Sequence, residues 1–171
     1  MVENESQHSM NGNIKKIGDL IKEIGFAMLT TTDENGKLQS RPMHTQQVAF
    51  DGDVYFFTYD NSEKAQQIQR HPQVNLAYAA PNKNDYLSLA GTATIIHDKD
   101  KMKELWQPQL KAWFPEELDT PHIALLKVSS ESAEFWDAPS STVAHVVGLV
   151  KSALTGQPAN IGDNETLELK K

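Results

Sequence analysis

The sequence predicts a mainly β fold with flanking helices, of the α+β class: a small antiparallel barrel with helices inserted between strands. Three observations predict it. Six or seven short runs are rich in β-branched and aromatic residues. Tight-turn sequences such as Asp33-Glu34-Asn35-Gly36 and Asp51-Gly52-Asp53 separate several of them. Between and around the runs lie stretches whose apolar residues recur with helical period.

Taken in order, residues 1–12 read as a polar, flexible leader. Ile14, Ile17, Ile21 and Ile24, widened by Leu20, then form the stripe of an amphipathic helix, with Gly25 as its C-terminal cap. Phe26 to Thr32 reads as a strand, and its return strand as Lys37 to Phe50. Val54 to Tyr59 is dense in β-formers. A helix starts at Ser62 and ends near Arg70, because Pro72 disfavours helix at His71. Val74 to Ala80 and Tyr86 to His97 are strands, with Gly91 a bulge or a point of close approach. Asp98 to about Phe114 is helical, and Pro108 should kink or split it. His122 to Ser130 and Ala133 to Trp136 are strands. From Pro139 the composition shifts. Val143, Val146, Val147, Val150 and Leu154 make a helical stripe closed by Gly156, and Asn160 to Lys171 is a polar tail with a weak Leu167/Leu169 alternation. The expected organisation is a leader (1–12), a barrel domain (13–138), and a C-terminal helix and tail (139–171) packed on that domain.

At 171 residues and 39% hydrophobic content the chain can bury one real core. A formal net charge of −7 argues against wrapping a nucleic-acid backbone. The absence of cysteine excludes thiolate metal sites, thiol nucleophiles and disulfides. No apolar run approaches the ~20 residues of a membrane span, and the N-terminus has no signal-peptide character, so the expected location is the cytoplasm.

Functional signals concentrate between Leu38 and Ile68. The join Thr58-Tyr59-Asp60-Asn61-Ser62-Glu63-Lys64 puts hydroxyls, a lysine and unpartnered backbone N–H groups at a helix N-terminus, which is an anion site by construction. Arg41 and Arg70 are the only arginines, and Arg41 lies in an otherwise uncharged strand beside Pro42. Its planar guanidinium suits phosphate or carboxylate; an edge-strand charge blunted by proline is the alternative. The six histidines show no compact metal-ligand spacing, so no metal site is expected; His44 is notable for following Arg41-Pro42-Met43. No nucleophile elbow, Walker or dinucleotide fingerprint occurs. Trp106, Trp113, Phe114 and Trp136 either pack a core or interface or line a planar ligand.

Ser40-Arg41-Pro42-Met43, then Phe57-Thr58, then Ser62-x-Lys64 opening a helix, resemble the FMN-binding split barrel. The likeness is to the general stress protein branch of the pyridoxamine 5'-phosphate oxidase-like superfamily. Tyr86-Leu87-Ser88-Leu89-x-Gly91, Glu104-Leu105-Trp106-x-Pro108, Trp113-Phe114-Pro115, Ala133-Glu134-Phe135-Trp136-Asp137 and Ala153-Leu154-Thr155-Gly156 follow in the same order, over about residues 13 to 156. The resemblance implies a homodimer with FMN at the subunit interface. Arg41, Pro42 and Met43 would lie along the flavin, with Phe57 beside Thr58 in the same motif. Thr58, Ser62 and Lys64 would hold its phosphate, and Trp136 would approach from the partner subunit.

The sequence departs from the oxidases proper, where an Arg-Lys pair opens the phosphate helix; here Glu63 precedes Lys64. It also has no arginine after Arg70 to grip a phosphorylated substrate, so pyridoxine 5'-phosphate oxidation is not expected. Two function classes stay open. One is an FMN-dependent oxidoreductase of unassigned substrate linked to stress response. The other is a non-enzymatic module that stores or senses flavin.

Overall fold

The computed structural model describes residues 2–47, 49–137 and 163–169. The first element is helix α1 (Val2–Ile24). It starts twelve residues before Ile14, where the apolar stripe begins, so the expected leader is helical from Val2 onward. Ile17, Leu20 and Ile21 are buried, and α1 ends where Gly25 enters the left-handed region at φ 73° and donates to the Ile21 carbonyl at 2.9 Å.

Seven strands follow: β1 (Phe26–Thr32), β2 (Leu38–His44), β3 (Asp53–Tyr59), β4 (Gln73–Ala80), β5 (Asp85–Ile96), β6 (Ile123–Asp137) and β7 (Asp163–Glu168). All the pairings are antiparallel, in the order β2-β1-β4-β5-β6-β3, with β7 added beside β6. The β1–β2 hairpin turns at Asp33, whose carboxylate accepts from the Asn35 and Lys37 N–H groups, while Gly36 supplies φ 79°.

β2 is shorter than expected and stops at His44, because its register partner Phe26 is the first residue of β1. The chain then crosses to the other edge of the sheet. The Thr45 N–H binds the Gly25 carbonyl, and the Gln46 N–H binds the Tyr55 carbonyl of β3, both at 2.9 Å. That second bond joins the two edge strands and closes the sheet into a split barrel.

β6 is one strand where two were expected. Ser132 pairs with Ala90 and Ser130 with Gly91, so Glu131 is an extra residue, a β-bulge. Gly91 is required opposite it: a Cβ there would lie 2.2 Å from the Ser129 carbonyl oxygen. The expected helix over 143–154 lies outside the described residues. The polar tail forms β7, with Leu167 and Leu169 packed against the core.

The barrel interior is filled by residues including Leu29, Phe56, Leu76, Tyr78, Leu89, Leu126 and Phe135, closed on one side by α1. Each large apolar side chain so buried contributes about 1.5–3 kcal/mol. A second cluster lies on the other face of β3 and β6. It joins Phe57, Ile123 and Leu125 to helix α3 (Lys99–Leu105) and to the 3-10 turn Pro108–Ala112. Pro108 splits the helical stretch at Trp106-Gln107 as expected. Among the described residues no helix is long and apolar enough to cross a membrane.

Candidate functional site

Helix α2 (Glu63–Arg70) connects β3 to β4 and packs against β1 and β5. Ser62 caps it from an extended backbone conformation. The Ser62 hydroxyl donates to the Tyr59 carbonyl at 2.7 Å and accepts from the Ala65 N–H at a long 3.4 Å. The leading loop is pinned from outside. The Asp60 carboxylate accepts from His97 Nε2 at 2.8 Å and His122 Nδ1 at 2.9 Å, and its backbone N–H binds the His122 carbonyl at 2.8 Å. The bond from His97, more than that from His122, holds the Asp60 carboxyl below its ordinary pKa.

Arg41 reaches this helix from β2. Alternation along β2 turns Gln39, Arg41 and Met43 inward and leaves Pro42 exposed on the opposite face. The Arg41 guanidinium donates to Thr31 Oγ1 at 2.5 Å, Gln67 Oε1 at 3.2 Å, and Leu29 O and Gln39 Oε1 at 3.4 Å each. Gln67, only 6% exposed, takes a further bond from the Thr31 hydroxyl at 2.5 Å. Its amide nitrogen donates to Gln39 Oε1 at 2.9 Å and Glu63 Oε1 at 3.0 Å.

Lys64 lies in the first turn of α2, half-buried and close enough to Arg41 for the two charges to repel. Burial, then the Arg41 charge, lowers its pKa; burial also lowers that of Arg41, against a smaller pull upward from Glu63. Among the described residues neither cation has a carboxylate within ion-pair distance. Thr58 shares the inward face of β3 with Val54 and Phe56, and its hydroxyl is buried with no hydrogen-bond partner. An unmatched cation pair, a helix N-terminus and an orphaned hydroxyl together fit an anionic ligand.

The structure thus brings Arg41, Ser62 and Lys64 together around α2, with Thr58 on the strand that feeds it. Met43 is inward but 8% exposed, within the core. Phe57 points to the other face of β3, its ring centroid 5.5 Å from that of Trp106 and 6.0 Å from that of Phe114. Its side chain is therefore engaged away from the Arg41–Lys64 pair. Trp136 lies 12 residues along β6 from Ala124, the register partner of Thr58, roughly 40 Å of strand. Thr31, Gln39 and Gln67 were not singled out by sequence reasoning. The one cue was Gln67 falling between Ala65 and Ile68 on the buried face of a polar helix. No cluster of metal-ligating side chains occurs among the described residues.

The outward face of β1, β4, β5 and β6 carries exposed apolar side chains among polar ones such as Thr30, Asn75, Ser88 and Glu134. Phe26, Met28, Tyr86 and Trp136 are 52, 43, 38 and 36% exposed, with Pro42 opposite Met28, Ala77 opposite Met28 on its other side, and Trp136 opposite Tyr86.

Comparison with known proteins agrees with this architecture. The chain is 25% identical over 167 residues to protein bli-3 of Neurospora crassa, covering 92% of this chain and 80% of that protein. It is 27% identical over 132 residues to general stress protein 26 of Bacillus subtilis, covering 75% and 91% respectively. Among solved structures, a protein of Clostridium acetobutylicum related to general stress protein 26 superposes with a TM-score of 0.69 at 17% identity, over 91% of this chain and 93% of that one. The general stress FMN/FAD binding protein of Xanthomonas citri superposes with a TM-score of 0.64 at 25% identity, over 74% and 89%. The family model for pyridoxamine 5'-phosphate oxidase like proteins matches residues 12–160, and the chain belongs to that family.

Proposed function

We propose that this protein binds FMN at the N-terminus of α2 and serves as a flavin-dependent oxidoreductase for a small-molecule partner, linked to stress response. The observation that carries the reading is the half-buried Arg41–Lys64 pair with no carboxylate counterion among the described residues, together with the unpartnered Thr58 hydroxyl on the strand that leads into α2. A phosphate monoester supplies two negative charges and several acceptor oxygens to such a site. Arg41 and Lys64 would neutralise it, the Ser62 cap would present the first-turn N–H groups, and the Thr58 hydroxyl would gain its missing partner. The name of the Xanthomonas citri neighbour supports a flavin as the ligand. Bound flavin supplies reversible one- and two-electron transfer.

The exposed Phe26, Met28, Tyr86 and Trp136 on the outward sheet face support a second copy of the chain as its cover, since obligate interfaces bury such side chains. In this reading Trp136 of the partner subunit, not the same chain's own, approaches the flavin. The absence of arginine beyond Arg70 speaks against a phosphorylated vitamin as substrate.

Flavin fluorescence quenching with FMN, FAD and riboflavin tests the cofactor. FMN should bind tightest, and no quenching by any of the three would end the flavin reading. Oxidation of reduced nicotinamide by the loaded protein tests the oxidoreductase. A loaded protein inert to nicotinamide and other donors would leave flavin storage or sensing as the function.

A further inference from the structure

The Gln67 amide stands between a cation and an anion. Its carbonyl oxygen faces the Arg41 guanidinium at 3.2 Å, and its nitrogen faces the Glu63 carboxylate at 3.0 Å. All four hydrogen-bonding capacities of the amide are used: two acceptances, from Thr31 and Arg41, and two donations, to Gln39 and Glu63. At 6% exposure the side chain is fixed from every side, and water cannot easily replace it. Glu63 and Arg41 are near enough to attract, yet among the described residues they form no direct ion pair.

We infer that Gln67 is a positioning residue that holds Arg41 open for an anionic ligand by keeping it apart from Glu63. The inference rests on the anion-site reading of α2. Its physical logic is competition. A guanidinium and a carboxylate at contact distance form a bidentate pair, and a guanidinium so engaged has little left for phosphate. Gln67 satisfies both groups with a neutral amide, so each stays charged and hydrogen-bonded without being consumed by the other. Glu63 opens α2 directly before Lys64, so a separator is needed here. The chain has placed a competing anion within the cation site, and the amide one turn along the helix contains it.

The test uses Gln67→Leu, Gln67→Glu and the double variant Gln67→Leu/Glu63→Gln in the full-length protein, titrated with FMN and riboflavin. Gln67→Leu should weaken FMN by about tenfold and riboflavin by less than about threefold, because Arg41 collapses onto Glu63. Adding Glu63→Gln should recover most of the FMN affinity, which a merely structural role for Gln67 would not allow. Gln67→Glu keeps the oxygen that accepts from Thr31 and Arg41 and so remains foldable where leucine is not. It should also weaken FMN selectively, since the carboxylate pairs with Arg41 directly. Parallel losses for both flavins, or no recovery in the double variant, overturn the inference.

If wild type binds neither flavin, the flavin reading falls, and positioning is read on Arg41 itself. With two arginines in the chain, the side-chain Nε–H spectrum holds two signals. Gln67→Leu should move one of them and Glu63→Gln should move it back. An Arg41 signal indifferent to Gln67→Leu refutes the positioning role independently of the ligand.

Discussion

Replacing Lys64 by alanine separates the anion site from everything else α2 does. Lys64 stands in the first turn of the helix, where a cation opposes the helix dipole, and it is half-buried beside Arg41. In the ligand-free protein that charge is a burden. Its folded-state pKa is lowered by burial first and by Arg41 second. Between that lowered value and the ordinary 10.5, the unfolded chain binds more protons than the folded one, so stability rises with pH across this window. Below the window the folded protein carries the full penalty of a charged Lys64.

Lys64→Ala removes the penalty and adds a good helix former, so the ligand-free protein should keep or slightly gain stability, by about 0.5 kcal/mol or less. Its stability should also change less across the alkaline window than that of wild type. With a phosphate present the sign reverses. A charge-assisted hydrogen bond contributes about 1.5–3 kcal/mol, so FMN affinity should fall about ten- to a hundredfold, while riboflavin, which lacks the phosphate, should be nearly unaffected. For wild type, FMN affinity should weaken as pH rises through the Lys64 titration, because the bound anion favours the protonated amine. Paired titrations of wild type and variant, with urea unfolding of the ligand-free forms, provide the measurement. Equal weakening of FMN and riboflavin would refute the reasoning, as would a marked loss of stability without ligand.

Three further predictions follow from other parts of the molecule. Thr58→Val replaces an orphaned buried hydroxyl with an isosteric methyl, so the ligand-free protein should gain about 1 kcal/mol in denaturant unfolding while FMN binds several-fold more weakly; a loss of stability would mean the hydroxyl already has a partner. Met28→Glu puts a charge among the exposed apolar side chains of the outward sheet face, and sedimentation should show it shifting the protein from the proposed dimer to monomer with the barrel's circular dichroism intact; a wild-type monomer would sink the proposed interface. Asp60 has a depressed carboxyl pKa, so its contribution is present above its unfolded value near 3.8 and is lost as pH falls through the folded value. Asp60→Asn should accordingly destabilise the protein at neutral pH, with the gap to wild type closing in acid; a gap constant with pH would show that the two histidine bonds contribute nothing through charge.

Much of the barrel was legible because local and tertiary preferences agree. Phe26–Thr32 is a strand in both readings, since its alternation matches its burial and the Asp33–Gly36 turn needs little help. Ser62 and Pro72 bracketed α2 for chemical reasons that survive in the structure. Gly91 announced the close approach that it permits. The misses share a cause, which is that a partner elsewhere decides. β2 ends where β1 has no more residues to offer. The run Ser129-Ser130-Glu131-Ser132 reads as a break but is held in strand by β5 on one side and the Gly52 carbonyl on the other. Apart from one threonine and one leucine, β7 is made of Asp, Asn and Glu, poor strand formers accepted because β6 supplies a ready edge. At the site, Arg41, Ser62 and Lys64 could be picked out one by one. The Thr31–Gln39–Gln67 network could not, because an uncharged glutamine carries no mark of its surroundings until the fold has placed them.

The bulge at Glu131 works as a parity switch for the end of β6. Before it, the even-numbered Leu126 and Val128 enter the barrel; after it, the odd-numbered Ala133 and Phe135 do. Because the bulge takes up Glu131 outside the regular pairing, the core receives Phe135 and not Trp136. Deleting Glu131 would remove the bulge and leave Ala133 and Phe135 inward, whereas forcing Glu131 into regular pairing would drive Glu134 and Trp136 inward and turn Phe135 out to solvent. Gly91 belongs to the same device, since no other residue lets the inserted loop of backbone pass so close. Glycine and insertion form one heritable unit: a lineage that lost the insertion would no longer need the glycine, and the end of β6 would still present Trp136 outward.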